Sequence, residues 1–358
     1  MNCKSCIINL LFIVVFCLIG AAILVFAVAV IFQERAAFQN LGKSRTMGHI
    51  YHHQLEKVMP EYWSPDQLGM TYKNLTVLSP DDRGEDSRIR KLHGWFVYHE
   101  GISDKIPTIV YFHENDYYPP ARLYTIQQYW DSQDKYNVIM VDYKGYGLSE
   151  GFTSEEGVLI DSEAIFEHVL SMEEIDQDQI YLLGCSMGGF PSINVATKYQ
   201  EKIKGFILQN TLVNVEHLVS TKYPPISPIL PYILRINLEN GSKMKNLTLP
   251  MMFIVSVDDG NTPSEGMYKL YHEANNVVYK KLYDVDTRDH FFPYFVNPEE
   301  YSKKVSHFIQ NCSSEKIQKY HKEVYQELHQ EQSQTSTKST SSASDTASKD
   351  ENEAKEDL

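Results

Sequence analysis

The segment from Ile180 to Gly189 carries the residues whose types and spacing point most directly to chemistry. An apolar, strand-like run is followed by Gly-Cys-Ser-Met-Gly over positions 184–188, the pattern G-x-S-x-G, and then by a sequence compatible with a helix. Small residues two positions before and after the serine let such a strand-to-helix turn close and hold the serine hydroxyl clear of the sheet. Ser186 is therefore predicted to be a nucleophile, with the Met187 N–H directed at a developing oxyanion.

A serine hydroxyl is a weak nucleophile at neutral pH, so it needs a histidine base that a carboxylate orients, in the chain order Ser, Asp, His. Of the histidines that follow the motif, only His290 is predicted on a loop beyond a strand. Asp258 and Asp259 both follow a predicted strand and compete for the acid role. Asp259 is favoured because of its spacing to Pro263, which is predicted to begin the next helix as in the usual loop of this kind.

The second oxyanion donor is expected in the loop that follows the third predicted strand, Phe112 to Asp116. We predict a backbone N–H near Asn115 for this role. Glu114 and Asp116 are unfavourable there, because a carboxylate near a developing alkoxide opposes it unless the side chain turns to solvent. The Gly-bearing turn at 142–149 is predicted to be a structural loop that braces the strand-to-helix turn at Ser186.

Elements that could position these residues alternate along the chain. From Thr71 to Leu282, apolar runs of strand length alternate with helical periodicity, which is typical of a mostly parallel sheet covered by helices on both faces. A polar turn at 80–84 separates the first two runs, so the sheet should open with a hairpin. The predicted strands are Tyr72 to Leu78, Leu92 to Tyr98, Thr108 to Phe112, Val138 to Val141, Ile180 to Leu183, Gly205 to Leu208, Met252 to Val257 and Val277 to Leu282.

The interval from Leu212 to Leu249 interrupts this alternation with four prolines in an apolar stretch. It is interpreted as a cap inserted over the carboxyl edge of the sheet, where ligands bind in open α/β folds.

The N-terminal run from Ile7 to Phe32 contains no charged residue over 26 positions. At ~1.5 Å per residue it would form about 39 Å of helix, enough to span a bilayer as a retained anchor. Basic residues flank the run on both sides and leave its orientation open. If the domain is lumenal, four N-x-S/T sites could be glycosylated (Asn74, Asn240, Asn246 and Asn311), and if Cys3 and Cys6 are cytosolic they could be acylated.

These boundaries divide the chain into an anchor at 1–35, a juxtamembrane segment at 36–70, a catalytic domain at 71–312 with its cap at 212–249, a charged helical extension at 313–332 and a disordered acidic tail at 333–358. The formal charge of −14 argues against sequence-independent binding of nucleic acid. No cofactor or metal is predicted, since His49 and His53 have helical metal spacing without a third ligand.

Six short segments carry a resemblance to a known family: Lys91 to Phe96, Tyr111 to His113, Asp142 to Ser149, Gly184 to Gly189, Gln209 to Thr211 and Asp259 to Pro263. From about Tyr72 to Ile309 the chain resembles the membrane-anchored serine hydrolases grouped with alpha/beta-hydrolase domain-containing protein 13 and the fungal bud-emergence proteins. The resemblance implies the α/β-hydrolase fold and the triad Ser186, Asp259 and His290. It also implies one N-terminal anchor with the domain on the lumenal or extracellular side. Glu114 stands where the family usually has glycine.

Together these observations predict a single-pass membrane serine hydrolase that cleaves an ester or thioester through an acyl-enzyme on Ser186. The expected substrate is a membrane lipid, an acylated protein or a small ester. A catalytically inactive, membrane-tethered binding protein is the alternative from another class, and an aminopeptidase of the same fold is a third interpretation.

Overall fold

The computed structural model describes residues 12–21, 23–24, 26–27, 33, 38, 64–81, 88–115, 119–328 and 330. The predicted anchor therefore lies only partly within the described residues, where positions 12–21, 23–24 and 26–27 are helical. Over the described part of the chain, none of the helices has both the length and the apolar character that crossing a bilayer requires. His49, His53, Cys3, Cys6, Asp116 and the predicted tail at 333–358 lie outside the described residues.

An eight-stranded sheet forms the centre of the described chain, in the order β1-β2-β4-β3-β5-β6-β7-β8. β2 runs antiparallel to both of its neighbours, β1 and β4, and the remaining neighbours pair in parallel. The strands are β1 (Tyr72–Pro80), β2 (Ile89–Val97), β3 (Thr108–Phe112), β4 (Asn137–Val141), β5 (Ile180–Cys185), β6 (Gly205–Gln209), β7 (Met251–Ser256) and β8 (Lys280–Val285). The predicted hairpin followed by a parallel sheet is confirmed.

The predicted eighth strand is displaced from the observed one by three residues. β8 pairs only with β7 among the described strands and shows alternating burial from Leu282 onward, where Tyr283 and Val285 are buried while Leu282 and Asp284 are exposed. An edge strand needs only one apolar face, so its sequence lacks the continuous apolar run that marks a strand buried on both sides.

Helices cover both faces of the sheet. They are α1 (Pro119–Trp130), α2 (Glu155–Leu170), α3 (Gly189–Tyr199), α4 (Val215–Lys222), α5 (Leu230–Ile233), α6 (Gly241–Met244), α7 (Ser264–Glu273) and α8 (Pro298–Cys312), and a further helix covers 315–328. Local caps start two of them. The Ser154 hydroxyl accepts the Gly157 N–H ahead of α2, and the Asn297 amide oxygen accepts the Glu300 N–H ahead of α8.

Two apolar clusters lie on opposite faces of the sheet, as β3 illustrates. Ile109 and Tyr111 contribute to the cluster that packs on α1 and α8, whereas Val110 and Phe112 contribute to the cluster that packs on α2 and α3. Successive side chains of a strand point to opposite faces, so a strand covered on both sides is apolar throughout.

The cap segment, residues 212–249, lies between β6 and β7 and contains a 3₁₀ turn (Pro224–Ile229) and the three short helices α4, α5 and α6. Two of the four predicted glycosylation sites, Asn240 and Asn246, fall here, and Asn240 is wrong for the folded chain. Asn240 is completely buried, and its amide donates to the Leu212 carbonyl at 2.9 Å. An oligosaccharide cannot be carried at such a position without disrupting the packing.

Candidate active site

Ser186 lies on a tight turn between β5 and α3. Its backbone has a φ of +52°, a conformation that is unusual for any residue other than glycine and that typically marks a functional constraint. The flanking glycines are required by close approach. A Cβ at Gly184 would lie 2.1 Å from the Ser192 hydroxyl, and one at Gly188 would lie 2.0 Å from the Phe112 carbonyl oxygen.

The structure brings Ser186, Asp259 and His290 together. They lie beyond the carboxyl ends of β5, β7 and β8, respectively. The His290 Nε2 lies 2.8 Å from the Ser186 Oγ, and the His290 Nδ1 lies 2.6 Å from the Asp259 Oδ2. When Nδ1 carries the proton and donates it to the carboxylate, Nε2 is free to accept from the serine hydroxyl. His290 and the Asp259 side chain are both buried, so little water competes for these bonds.

A compact turn holds Asp259 in place. Its Oδ1 accepts the N–H groups of Asn261 at 2.7 Å and of Thr262 at 3.0 Å, while its Oδ2 accepts the Thr262 hydroxyl at 3.0 Å and faces His290. The competing carboxylate, Asp258, is exposed. The structure thus places Asp259, and not Asp258, beside the histidine.

Two residues at the end of β6 hold the histidine loop and the nucleophile turn. The Asn210 side chain donates to the Ser256 hydroxyl at 2.9 Å and to the His290 carbonyl at 2.8 Å, and its oxygen accepts the Ser256 N–H at 2.8 Å. The Thr211 hydroxyl donates to the Ser186 carbonyl at 2.5 Å. Sequence reasoning noted these residues only as part of a family-like segment, because contacts of this kind leave no periodic or spacing signal.

The predicted oxyanion side of the site is formed by Met187 and the loop after β3. Met187 directly follows the proposed nucleophile. The loop after β3 packs closely against the same turn, because a Cβ at Gly188 would also lie 2.7 Å from the His113 carbonyl oxygen. The predicted donor region, Asn115, contacts the Tyr146 hydroxyl through its side chain.

The loop at 142–149 braces this side, in agreement with the prediction. The Tyr143 hydroxyl donates to the His113 carbonyl at 3.2 Å, and the Tyr146 hydroxyl lies 3.8 Å from the Met187 sulfur. Asp142 forms a buried ion pair with Arg122. The loop therefore fixes both segments from which oxyanion donors are expected.

The Glu114 side chain does not turn to solvent, although the sequence argument required this of a carboxylate near the developing alkoxide. It is buried, and its carboxylate accepts a hydrogen bond from the Tyr111 hydroxyl three residues earlier, within β3. Burial and the adjacent carboxylate raise the pKa of Tyr111 well above its ordinary value, so this phenol stays protonated and continues to donate. The carboxylate is thus engaged by a hydrogen-bond donor of the sheet.

The histidine next to Glu114, His113, is held in its neutral form. His113 is completely buried, and burial lowers its pKa well below the ordinary value, with the Arg122 guanidinium adding to the effect. A neutral His113 can accept or donate one hydrogen bond without placing a charge beside the nucleophile turn.

Sequence reasoning missed two contacts made by residues ahead of the domain. The Phe38 side chain is buried in the core, and its carbonyl accepts the Tyr146 hydroxyl at 3.0 Å. The Gln33 side chain donates to the Ile233 carbonyl at 2.5 Å and accepts the Arg235 N–H at 2.8 Å, both within the cap. No sequence pattern indicates where such a segment docks.

Metal ligands are not grouped in the described part of the chain, where no three His, Cys, Asp or Glu side chains lie close enough to hold an ion. Cys185 and Cys312 are buried free thiols whose pKa is raised well above its ordinary value by burial. Neither thiol is suited to nucleophilic chemistry, which needs the thiolate.

Comparison with known proteins gives concordant results. A family profile described as "alpha/beta hydrolase fold" matches residues 117–322. Protein bem46 of Schizosaccharomyces pombe is 25% identical over 235 residues, which covers 63% of this chain and 76% of that protein. The uncharacterized membrane protein YNL320W of Saccharomyces cerevisiae is 24% identical over 250 residues, covering 67% of this chain and 84% of that protein.

Among solved structures, the Pyrococcus furiosus esterase Pf2001 superposes with a TM-score of 0.55 at 19% identity, covering 71% of this chain and 96% of that chain. This likeness establishes the fold. The match to bem46 confirms the resemblance to the bud-emergence proteins that the sequence motifs indicated.

Proposed function

Because the chain belongs to the alpha/beta hydrolase family, we propose that it is a membrane-anchored serine hydrolase that cleaves carboxylic esters or thioesters of acyl substrates. The observation that carries the proposal is the continuous hydrogen-bonded path from the Ser186 hydroxyl through His290 to Asp259, with separations of 2.8 and 2.6 Å. The fold shared with a solved esterase supports the reaction class.

Acylation begins when the Ser186 oxygen attacks the substrate carbonyl and its proton passes to the His290 Nε2. Asp259 accepts the Nδ1–H throughout, which holds the ring in the productive tautomer and stabilises the imidazolium. The tetrahedral oxyanion is bound by the Met187 N–H and by a backbone N–H near Asn115. Collapse breaks the bond to the alcohol or thiol, which leaves with the proton from His290.

Deacylation repeats these steps with water as the nucleophile. His290 takes a proton from the water as its oxygen attacks the acyl carbonyl, and then returns that proton to the Ser186 oxygen as the carboxylic acid departs. The same two oxyanion donors serve both steps, because the carbonyl oxygen occupies the same place in each.

Three features favour acyl substrates that are delivered from a membrane. The apolar run from Ile7 to Phe32 serves as a single-pass anchor, the cap is rich in exposed apolar residues, and a yeast relative is named as a membrane protein. Lysophospholipids, monoacylglycerols and acylated proteins all carry such a group. The resemblance to the bud-emergence proteins leads us to propose that the hydrolase domain lies on the lumenal or extracellular side.

A fluorophosphonate probe, which labels only activated serines, tests the assignment on the detergent-extracted full chain. Ser186→Ala and His290→Ala should each abolish labelling that the wild type shows. Ser264→Ala is the matched control, because the hydroxyl of this serine donates to the Val257 carbonyl rather than to the His290 ring. A folded wild type that takes no label refutes the proposal and favours a catalytically inactive binding protein. Labelling that survives in Ser186→Ala refutes the assignment of Ser186 as the nucleophile.

A further inference from the structure

The cap exposes a group of large apolar side chains. Tyr223, Ile226, Ile229 and Tyr232 are 58%, 39%, 48% and 87% exposed, and they recur every three residues from the position before the 3₁₀ turn to α5. We call these four residues the cap face. Clusters of exposed apolar residues are uncommon on soluble surfaces, and tyrosine is enriched where proteins meet the headgroup region of a bilayer.

The residue that follows the N-terminal apolar run contacts this cap. The Gln33 side chain donates to the carbonyl of Ile233, the last residue of α5, and accepts the N–H of Arg235, two residues farther on. A second contact follows five residues later, where the Phe38 carbonyl accepts the Tyr146 hydroxyl beside the active site. The chain is therefore held against the domain, at the cap, directly after the run.

We infer that the cap face lies on the surface of the bilayer that the N-terminal run enters, so that acyl substrates reach Ser186 by leaving the membrane beneath the cap. The inference rests on the membrane anchor of the proposed function, not on its chemistry. An anchor that emerges at the cap leaves no length of chain to carry the domain away from the membrane, and the apolar side chains beside Gln33 then meet lipid.

Depth-dependent quenching tests this orientation without any need for catalysis. The full chain is reconstituted into vesicles of phosphatidylcholine and phosphatidylserine whose acyl chains carry bromine, a quencher of tryptophan emission. Tyr232→Trp adds a reporter to the cap face. Tyr320→Trp is the matched control, because Tyr320 is also exposed, at 54%, but lies on the helix at 315–328.

After the wild-type emission is subtracted, roughly half of the signal added by Tyr232→Trp should be lost to bromine, as expected for a side chain at the headgroup and acyl boundary. The signal added by Tyr320→Trp should not change. Equal quenching of the two, or quenching of neither in vesicles that carry the protein on flotation, overturns the inference and leaves the anchor intact. A wild type that does not float with vesicles overturns both, while fluorophosphonate labelling still reports separately on the chemistry.

Discussion

Asn210 offers the sharpest test of how the histidine is positioned. Its side chain joins the end of β7 to the histidine loop through three hydrogen bonds, two with Ser256 and one with the His290 carbonyl. Asn210→Ala removes all three. The variant leaves the Ser256 N–H and the His290 carbonyl without these partners in the interior, at roughly 1–3 kcal/mol each.

Backbone strain adds to this loss. Asn210 has a φ of +46°, which asparagine tolerates better than alanine, and the difference is roughly 1 kcal/mol. We therefore expect Asn210→Ala to lower the free energy of unfolding by roughly 3–7 kcal/mol. Displacement of His290 by even ~1 Å should lower kcat by roughly 10²-fold.

Asn137→Ala is the matched control. Asn137 is equally buried, and its amide donates to the Ser103 carbonyl at 2.8 Å and to the Thr108 hydroxyl at 3.1 Å, at the opposite end of the sheet. Both variants should lose stability in urea titrations. Only Asn210→Ala should also lose kcat on a short soluble ester, measured where both variants are folded. Equal kcat in the two variants refutes a positioning role for Asn210.

Three further outcomes are expected. Asp259→Asn should lower kcat by roughly 10³- to 10⁴-fold because the histidine tautomer is lost, while Asp258→Asn should not; similar losses in both would mean that the acid is misassigned. Tyr232→Asp should slow hydrolysis of an acyl ester embedded in vesicles but not of a short soluble ester, and an identical effect of Tyr320→Asp would argue against the cap face. Burial lowers the pKa of His321 to about 4 from its ordinary 6.5. The unfolded chain therefore binds the extra proton first, and acidification from pH 6.5 to 4 should cost the wild type up to about 3 kcal/mol of stability in urea titrations that a His321→Gln variant retains.

The parallel strands were predictable because burial on both faces leaves a continuous apolar run. β3 was predicted at its observed bounds, whereas β8, which needs only one apolar face, was predicted three residues early. The turn around Ser186 was predictable for a different reason. The turn leaves no room for a Cβ at positions 184 and 188, so glycine is needed at both, and two glycines at this spacing can be recognised in the sequence.

Other parts of the site depend on individual side-chain hydrogen bonds. The sequence favoured Asp259 over Asp258 only by its spacing to Pro263, because the choice itself depends on which carboxylate receives the Asn261 and Thr262 N–H groups. The direction of Glu114 depends on the Tyr111 hydroxyl, and the docking of Phe38 depends on Tyr146. None of these contacts follows from periodicity or local propensity.

The strand order has a consequence for how the molecule is made. From β5 onward each new strand joins the sheet beside the one synthesised before it, in the order β5, β6, β7, β8. A chain emerging from the ribosome can therefore add each strand to an edge that already exists. Ser186 is in place early in this sequence, whereas Asp259 and His290 follow the last two strands. The proposed triad is thus incomplete in the nascent protein until its final strand has docked, so any hydrolysis that it carries out would begin only with completion of the sheet.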